Sequence, residues 1–269
     1  MKLKSKTALA VLALIAGTSA FAQAKAEPDY TLSYNIGAVS DYRFRGIEQT
    51  AGGPSVQAGV DFAHKSGFYA GAFVASNIKW VKEFNGASKG DYEVDLYGGY
   101  KFSLRNGVGF DLGVITYQYP GNDSGGANTR GGATNYVKAD TNEAYVGVSY
   151  GVASLKYYQS IGDFLGNRDT NGSRYVDLSA TFDLGNGFSL TPHFGFQSLP
   201  RNSTSNQNDL ANYGDYSLTL AKDFGNGFVA SVAAIGTNAN RTFYTSDANF
   251  GNSRYYGNNT LVVGVKYNF

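Results

Sequence analysis

The chain has 269 residues, no cysteine and a formal net charge of +1. The lack of cysteine excludes a disulfide framework, and the near-neutral charge gives no sign of a polyanionic partner such as nucleic acid. Thirty-five glycines, 21 tyrosines and 18 phenylalanines stand beside five prolines and one methionine. This composition favours strands and turns over helices, so we expect an all-β fold.

The first residues have the parts of a secretory signal peptide. Three lysines precede an apolar run over residues 8–16, and small residues flank Phe21. Because this run is too short to span a bilayer, a retained membrane anchor is the less favoured alternative. We predict a cleaved signal peptide over residues 1–22 and a single exported domain over residues 23–269. Without the three lysines the formal net charge falls from +1 to −2.

Segments of alternating apolar and polar residues then follow one another along the chain. None has the roughly 18 consecutive apolar residues of a membrane helix, whereas most have the about 9 to 11 residues of a tilted membrane strand. We predict twelve strands, over residues 29–39, 54–63, 68–77, 91–102, 108–118, 142–150, 153–160, 173–182, 188–197, 212–222, 228–238 and 260–269.

Alternation is clearest in the predicted strands 91–102, 188–197 and 260–269. Successive side chains of a strand point to opposite faces, so one face of each segment collects large apolar residues and the other collects polar or small ones. Such strands suit lipid on one face and water on the other. In the last strand the apolar face holds Leu261, Val263, Val265, Tyr267 and Phe269.

The connections between these strands alternate between short and long. The short ones cover residues 64–67, 103–107, 151–152, 183–187 and 223–227, and the others are long and rich in Asn, Ser, Thr and Gly. This asymmetry predicts a transmembrane antiparallel up-and-down β-barrel of about twelve strands, with short periplasmic turns and long extracellular loops. Propeller blades would need four strands per repeat, and a soluble sandwich would not explain the aromatic residues that bracket the short turns.

Several short motifs carry a family resemblance. They are Ser40-Asp41-Tyr42-Arg43-Phe44-Arg45-Gly46, Gly67-Phe68-Tyr69-Ala70-Gly71, Tyr117-Gln118-Tyr119-Pro120-Gly121, Ser154-Leu155-Lys156-Tyr157-Tyr158 and Lys222-Asp223-Phe224-Gly225. In these motifs the chain resembles the TorF family of porin-like proteins, a proteobacterial family of unknown function. The resemblance covers nearly the whole mature chain. It implies a porin-like role in the outer membrane of a Gram-negative bacterium, and it implies no catalytic or ligand-binding residue.

If the apolar faces point to lipid, a set of charged side chains points into the barrel. Seven acids against four lysines predict a lumen that mildly prefers cations, because rings of acids favour cations. The favoured alternative is that these charges pair across strands and stiffen the wall. The candidates for lining the lumen are Asp61, Glu93, Asp95, Asp111, Glu143, Asp177, Asp215, Lys101, Lys156, Lys222, Lys266 and His193.

Twelve strands enclose an interior wider than that of an eight-stranded barrel and narrower than that of a 16-stranded porin. Inward-facing Tyr97, Tyr145, Tyr158 and Tyr175 narrow it further. These tyrosines act either as structural filler, which we favour, or as a stacking track for sugars or nucleosides. We therefore predict a small channel for ions or small solutes, partly closed by a long loop.

Two arginines, Arg43 and Arg45, follow the first predicted strand and are candidates for the pore mouth. Guanidinium groups bind phosphate well, so these arginines either contact lipopolysaccharide phosphates or constrict the entrance. The favoured alternative is an ordinary ion pair within the loop.

The expected function is passive diffusion through a porin-like channel that uses no cofactor. A non-conducting structural or adhesin-like barrel is one alternative, and an enzyme that modifies outer-membrane lipid is another. The enzyme is disfavoured because His64 lies at a short turn, His193 points away from lipid, and no Gly-x-Ser-x-Gly motif or metal-spaced histidine pair occurs. We predict no catalytic site and no metal site.

The outward aromatic residues Tyr267 and Phe269 close the sequence. A phenylalanine at this place on the lipid-facing row resembles the terminal signal that the β-barrel assembly machinery reads. That machinery is therefore a predicted partner, together with outer-membrane lipid, lipopolysaccharide and the small solutes or ions that pass.

Overall fold

A computed structural model describes residues 28–125, 136–200, 208–248, 250 and 252–269. The predicted signal peptide over residues 1–22 lies outside the described residues. Within these ranges, no helix is both long enough and apolar enough to cross a membrane.

Almost all regular structure is β-strand, as the glycine-rich and aromatic-rich composition favours. In the described part of the chain, one turn of α-helix and one short 3₁₀ helix, Asn208–Ala211, interrupt the strands. The other elements are β1 Tyr30–Val39, β2 Arg43–Phe44, β3 Ile47–Glu48, β4 Ser55–His64, β5 Phe68–Ser76, α1 Trp80–Glu83, β6 Tyr92–Ser103, β7 Gly109–Gln118, β8 Thr141–Tyr150, β9 Ala153–Ser160, β10 Arg174–Ala180, β11 Phe182–Gly185, β12 Phe188–Ser198, β13 Tyr213–Asp223, β14 Phe228–Thr237 and β15 Thr260–Asn268.

The long strands form a closed antiparallel ring. Each pairs with its neighbours in sequence, and β1 closes the ring by pairing with both β4 and β15. Strands β10 and β11 both pair with β12 and occupy one position, so the described part of the chain forms a barrel of twelve strands. Closure pairs every edge, which is how a sheet satisfies its backbone polar groups in lipid. The predicted twelve-stranded barrel is confirmed.

The predicted strand 173–182 differs from the observed structure because it is interrupted at Thr181. Strand β9 starts only at Ala153, so beyond Ala180 the ladder on that side has ended and the chain pairs with β12 alone. The amide of Thr181 donates instead to the carbonyl oxygen of Val152 in the preceding turn, at 2.9 Å.

The outer surface of the barrel is apolar. In β15, Leu261 and Val263 are 69% and 57% exposed, whereas Val262 between them is 7% exposed. Aromatic side chains pair near the short turns, as in the stacked rings of Phe102 and Phe110, whose centroids lie 5.0 Å apart. The alternation in the sequence therefore corresponds to an outer apolar face and an inner face.

The long connections lie at one end of the barrel and pack against one another. Ile78, Trp80 and Val81 of the second connection are buried together with Ile47 of the first and Tyr256 of the last. At the opposite end the strands are joined by tight turns, with Gly67 and Gly107 at φ of 104° and 86°. The barrel is therefore filled at its long-loop end, and the side chains that line it begin below this apolar cluster.

Candidate functional site

The first long connection contains a small hairpin, formed by β2 and β3, which we call the loop-1 hairpin (residues 43–48). Its turn residues Arg45 and Gly46 both have positive φ, 48° and 78°. Two positive φ values in succession are the requirement of a type I′ turn, whose twist matches that of a tight hairpin. The turn places the side chain of Arg45 at the tip.

The loop-1 hairpin enters the barrel and reaches its far wall. At its base Tyr42 donates a hydrogen bond of 2.5 Å to Glu93 of β6. Next along the hairpin, the ring of Phe44 packs edge-on against that of Tyr117 of β7, with centroids 5.2 Å apart. At its tip Arg45 donates hydrogen bonds to residues of β8 and β12. In the strand order these two strands lie on either side of β9 and β10, across the barrel from β1. The hairpin therefore crosses the interior.

Arg45 is held by a receptor built from four strands of the wall, β8, β9, β10 and β12, and from the connection between β9 and β10. It donates hydrogen bonds to Oε2 of Glu143 at 2.6 Å and to Oε1 of Gln197 at 2.8 Å. Its guanidinium carbon lies 4.2 Å from the ring centroid of Tyr175, 5.2 Å from that of Tyr158 and 5.4 Å from that of Phe164. We call Glu143, Gln197, Tyr158, Tyr175 and Phe164 the Arg45 receptor.

The Arg45–Glu143 ion pair is shielded from solvent. The two side chains are 5% and 0% exposed. Removing one partner of such a buried pair leaves an uncompensated charge and typically costs about 3–5 kcal/mol. The tip of the hairpin is therefore fixed firmly while both partners are present.

A second group of polar side chains lies beside the Arg45 receptor. Nε2 of His193 is 2.9 Å from Oδ1 of Asp215, and its Nδ1 is 3.6 Å from Oδ1 of Asp177. The hydroxyl of Tyr175 donates to Oδ2 of Asp215 at 3.0 Å. These groups and Arg45 line a cavity of about 280 Å³. The interior next to the hairpin tip is thus both open and charged.

Closer to the short turns, the interior charges are paired or hydrogen-bonded. Lys156 lies 2.9 Å from Asp111, which also accepts a 2.6 Å hydrogen bond from Tyr69. The ammonium of Lys101 lies 4.5 Å from the ring centroid of that tyrosine. Asp61 accepts a 2.5 Å hydrogen bond from Tyr97.

The remaining candidates occupy different surroundings. Glu93 is buried and accepts hydrogen bonds from Tyr42 at 2.5 Å and Tyr119 at 2.8 Å. Asp95 is buried, and its Oδ1 has no hydrogen-bond partner among the described residues. Lys266 is exposed on β15, opposite Gly37 and Val229 in the ladder.

Arg43 forms ion pairs within the first connection, at 2.8 Å to Asp41 and 3.0 Å to Glu48. Glu48 also binds Arg254 of the last connection at 2.7 Å. Burial raises the pKa of Asp41, although the neighbouring Arg43 acts to lower it. Arg43 thus anchors the base of the hairpin through ion pairs. Arg45 lies deeper in the barrel interior than the pore mouth predicted for it from the sequence.

Sequence reasoning identified Arg45 and Glu143 separately but did not bring them together, and it missed Gln197, Glu48 and Tyr42. The local sequence gives little signal for the hairpin: Gly46 suits a turn with positive φ, whereas arginine seldom adopts the φ of 48° that Arg45 has here. The two candidates at the end of the sequence lie outside the barrel: the rings of Tyr267 and Phe269 meet edge-on, 4.9 Å apart.

Comparisons with known proteins agree with a barrel of this kind. A family model described as a bacterial protein of unknown function (Gcw_chp) matches residues 23–269. No curated protein matches the chain. Among solved structures it is similar to the KdgM porin, with a TM-score of 0.52, 7% identity, and coverage of 88% of this chain and 99% of that one. For the structure described as the KdgM porin in complex with disordered oligogalacturonate, the TM-score is 0.51 and the identity 8%. The match covers 88% of this chain and 98% of that one. At these identities the likeness concerns the fold.

Proposed function

Because the chain belongs to the Gcw_chp family of bacterial proteins and shares the barrel fold of the KdgM porin, we propose that it is an outer-membrane channel for passive diffusion of ions or small solutes. The proposal includes export by the predicted signal peptide over residues 1–22 and insertion by the β-barrel assembly machinery. It also includes contacts with outer-membrane lipid and lipopolysaccharide, and membership of the TorF family that the motifs resemble.

The observation that carries the proposal is the loop-1 hairpin inside a closed ring of strands. A barrel of twelve strands has room for more than its own side chains, and a polypeptide segment that folds inward reduces this room to a narrow passage. Solutes that pass beside Arg45 meet the 280 Å³ cavity and the charges around His193. This arrangement favours ions and small solutes over large oligosaccharides.

The charges near the hairpin favour cations. Asp177 and Asp215 face the cavity, and the arginines of the hairpin are engaged in ion pairs. Acidic groups that line a narrow passage attract cations and repel anions. We therefore propose a cation-preferring channel.

A non-conducting structural barrel is the second candidate. The apolar cluster of Ile47, Trp80, Val81 and Tyr256 at the long-loop end favours it, because packed side chains exclude water. An enzyme that acts on lipid is less favoured than either, since His193 lies in the interior between two aspartates.

Single-channel recording in planar bilayers decides between the two candidates. We expect discrete cation-selective steps for the full chain, and larger steps when a Gly-Ser linker replaces residues 43–48. The control is the same replacement in the exposed short turn at residues 104–107. Silence of the full chain and of the hairpin variant, at protein concentrations where a known porin conducts, would favour the structural barrel. A reversal potential of the anion-selective sign would contradict the preference for cations.

A further inference from the structure

The receptor around Arg45 has the composition of a binding site for a cationic ligand. It combines a buried carboxylate, an amide oxygen and the faces of aromatic rings, which are the groups that recognise a guanidinium. All of them belong to the wall or to another connection, and none belongs to the hairpin. The hairpin itself adds one further contact, the ring of Phe44, whose centroid lies 4.7 Å from the guanidinium carbon of Arg45. The carboxylate, the amide oxygen and three of the four rings therefore remain when the hairpin is absent.

Glu143 is not fully used by Arg45. One terminal nitrogen of the guanidinium donates to Oε2 of Glu143. The second terminal nitrogen donates to Gln197 instead. The second carboxylate oxygen of Glu143, Oε1, has no hydrogen-bond partner among the described residues. A guanidinium that is free to orient can bind both oxygens of a carboxylate at once, which is the stronger geometry.

An empty receptor would be costly. Glu143 is fully buried and Gln197 is 1% exposed. A buried carboxylate without a cation carries a large desolvation penalty, which a mobile cation from solution relieves as well as Arg45 does. If the hairpin withdraws, the receptor favours an incoming cation over water.

The cavity beside the receptor extends the site. It is lined by Asp177, whose side chain is 29% exposed, and by Asp215 and His193. A partly exposed carboxylate beside the receptor suits a second positive group on the same solute, such as an ammonium. A solute with a guanidinium at one end and an amine at the other therefore matches the arrangement better than a simple metal ion does.

We propose that the Arg45 receptor is a binding site for guanidinium-bearing solutes, such as free arginine or arginine-containing peptides, and that Arg45 occupies it as a built-in competitor. This inference deepens the proposed channel function and names its solute class. Binding of the solute and docking of the loop-1 hairpin are mutually exclusive, because both use the same carboxylate.

Calorimetric titration of L-arginine into purified protein in detergent tests the site. Arg45→Ala should bind at least about tenfold more tightly than the wild type, because the competitor is gone. Adding Glu143→Gln to Arg45→Ala should abolish the gain. L-citrulline has a neutral side chain of nearly the same shape and should bind neither the wild type nor Arg45→Ala. Arg105→Ala removes an exposed arginine at a short turn and should behave as the wild type.

The variants are first checked for native barrel content by circular dichroism, and Arg45→Gln replaces Arg45→Ala if the latter does not fold. A folded Arg45 variant that binds no L-arginine, or that binds citrulline equally well, would overturn the proposal. So would tight binding that survives Glu143→Gln. The titration needs no conductance, so a barrel that binds L-arginine but passes no current would contradict the channel and not the site.

Discussion

Glycines on the inner face make room for the tyrosines of neighbouring strands. A Cβ on Gly113 would lie 2.4 Å from the ring of Tyr145, and a Cβ on Gly195 would lie 1.9 Å from the hydroxyl oxygen of Tyr175. A tyrosine laid over a glycine protects the backbone of that glycine and fixes the ring at the same time. The position of Tyr175, and through it the bond to Asp215, therefore depends on the absence of a methyl group at residue 195.

Replacing Gly195 by alanine should displace Tyr175 from Asp215 and destabilise the barrel by about 1–3 kcal/mol, as overpacking of a filled interior does. Urea unfolding followed by the fluorescence of Trp80, the single tryptophan, measures the change. The control is Gly214→Ala on the adjacent strand, where the nearest atom to a new Cβ is 3.6 Å away. Equal unfolding midpoints for the two variants would refute the steric argument.

At the scale of the element, the loop-1 hairpin is held at its base and at its tip by different charges. Arg43 joins the base to Asp41 and Glu48, and Arg45 joins the tip to Glu143. The segment between them has only two short strands, so most of its order comes from the wall. Release of the Arg45–Glu143 ion pair would therefore free the tip while the ion pairs of Arg43 still hold the base.

A reversible cross-link tests whether the hairpin moves. A Cβ on Gly46 would lie 3.5 Å from Cβ of Thr237, within the range that a disulfide requires, and 2.8 Å from Cβ of Asp215, whose side chain must shift to admit it. The chain has no other cysteine. Oxidised Gly46→Cys/Thr237→Cys should lose transitions to higher conductance, and reductant should restore them. The reduced form controls for strain at Gly46, and Thr237→Cys alone controls for the thiol. Identical recordings before and after reduction would mean that the hairpin is static.

The strands were predictable and the hairpin was not, for a physical reason. The alternation over residues 260–269 arises because the two faces of a strand meet different surroundings. This pattern can be read from neighbouring residues alone. Strands β2 and β3 have two residues each, which is too short for any periodicity. The partner of Arg45 depends on which strands lie opposite in the closed ring, and local pattern does not contain that information.

The same dependence on local pattern decides which features of the interior could be predicted. Alternation placed His193 on the inner face, where the structure has it between Asp177 and Asp215. It gave no means to choose which acids would pair, because pairing depends on register between strands. The interruption at Thr181 was missed for a related reason, since it follows from where the neighbouring strand begins.

At the scale of the whole molecule, the two ends of the described domain close the barrel. Strand β1 pairs with β15 from Asn35 opposite Asn268 to Val39 opposite Gly264. The amide of Phe269 adds a 2.9 Å hydrogen bond to the carbonyl oxygen of Tyr34 beyond this ladder. The ring of Phe269 takes no part in this bond; it is 58% exposed and packs edge-on against the ring of Tyr267.

Phe269→Ala keeps the backbone bond and removes the ring. If the β-barrel assembly machinery reads that ring, the amount of protein in the outer membrane should fall severalfold while export across the inner membrane continues, as quantitative blotting of membrane fractions would detect. Tyr150→Ala, at an exposed aromatic beside a short turn, is the matched control. Normal outer-membrane levels of Phe269→Ala would exclude this role.

The hydrogen bonds of Arg45 also have a consequence for the order of folding. They join residues 98 and 152 positions apart in the chain. Contacts of such separation form late, because the intervening chain must first be organised. We expect docking of the hairpin to follow closure of the ring, so a barrel still in assembly presents residues 43–48 to solvent and to proteases. Protection of this segment from cleavage would then mark the moment at which a newly inserted barrel is complete.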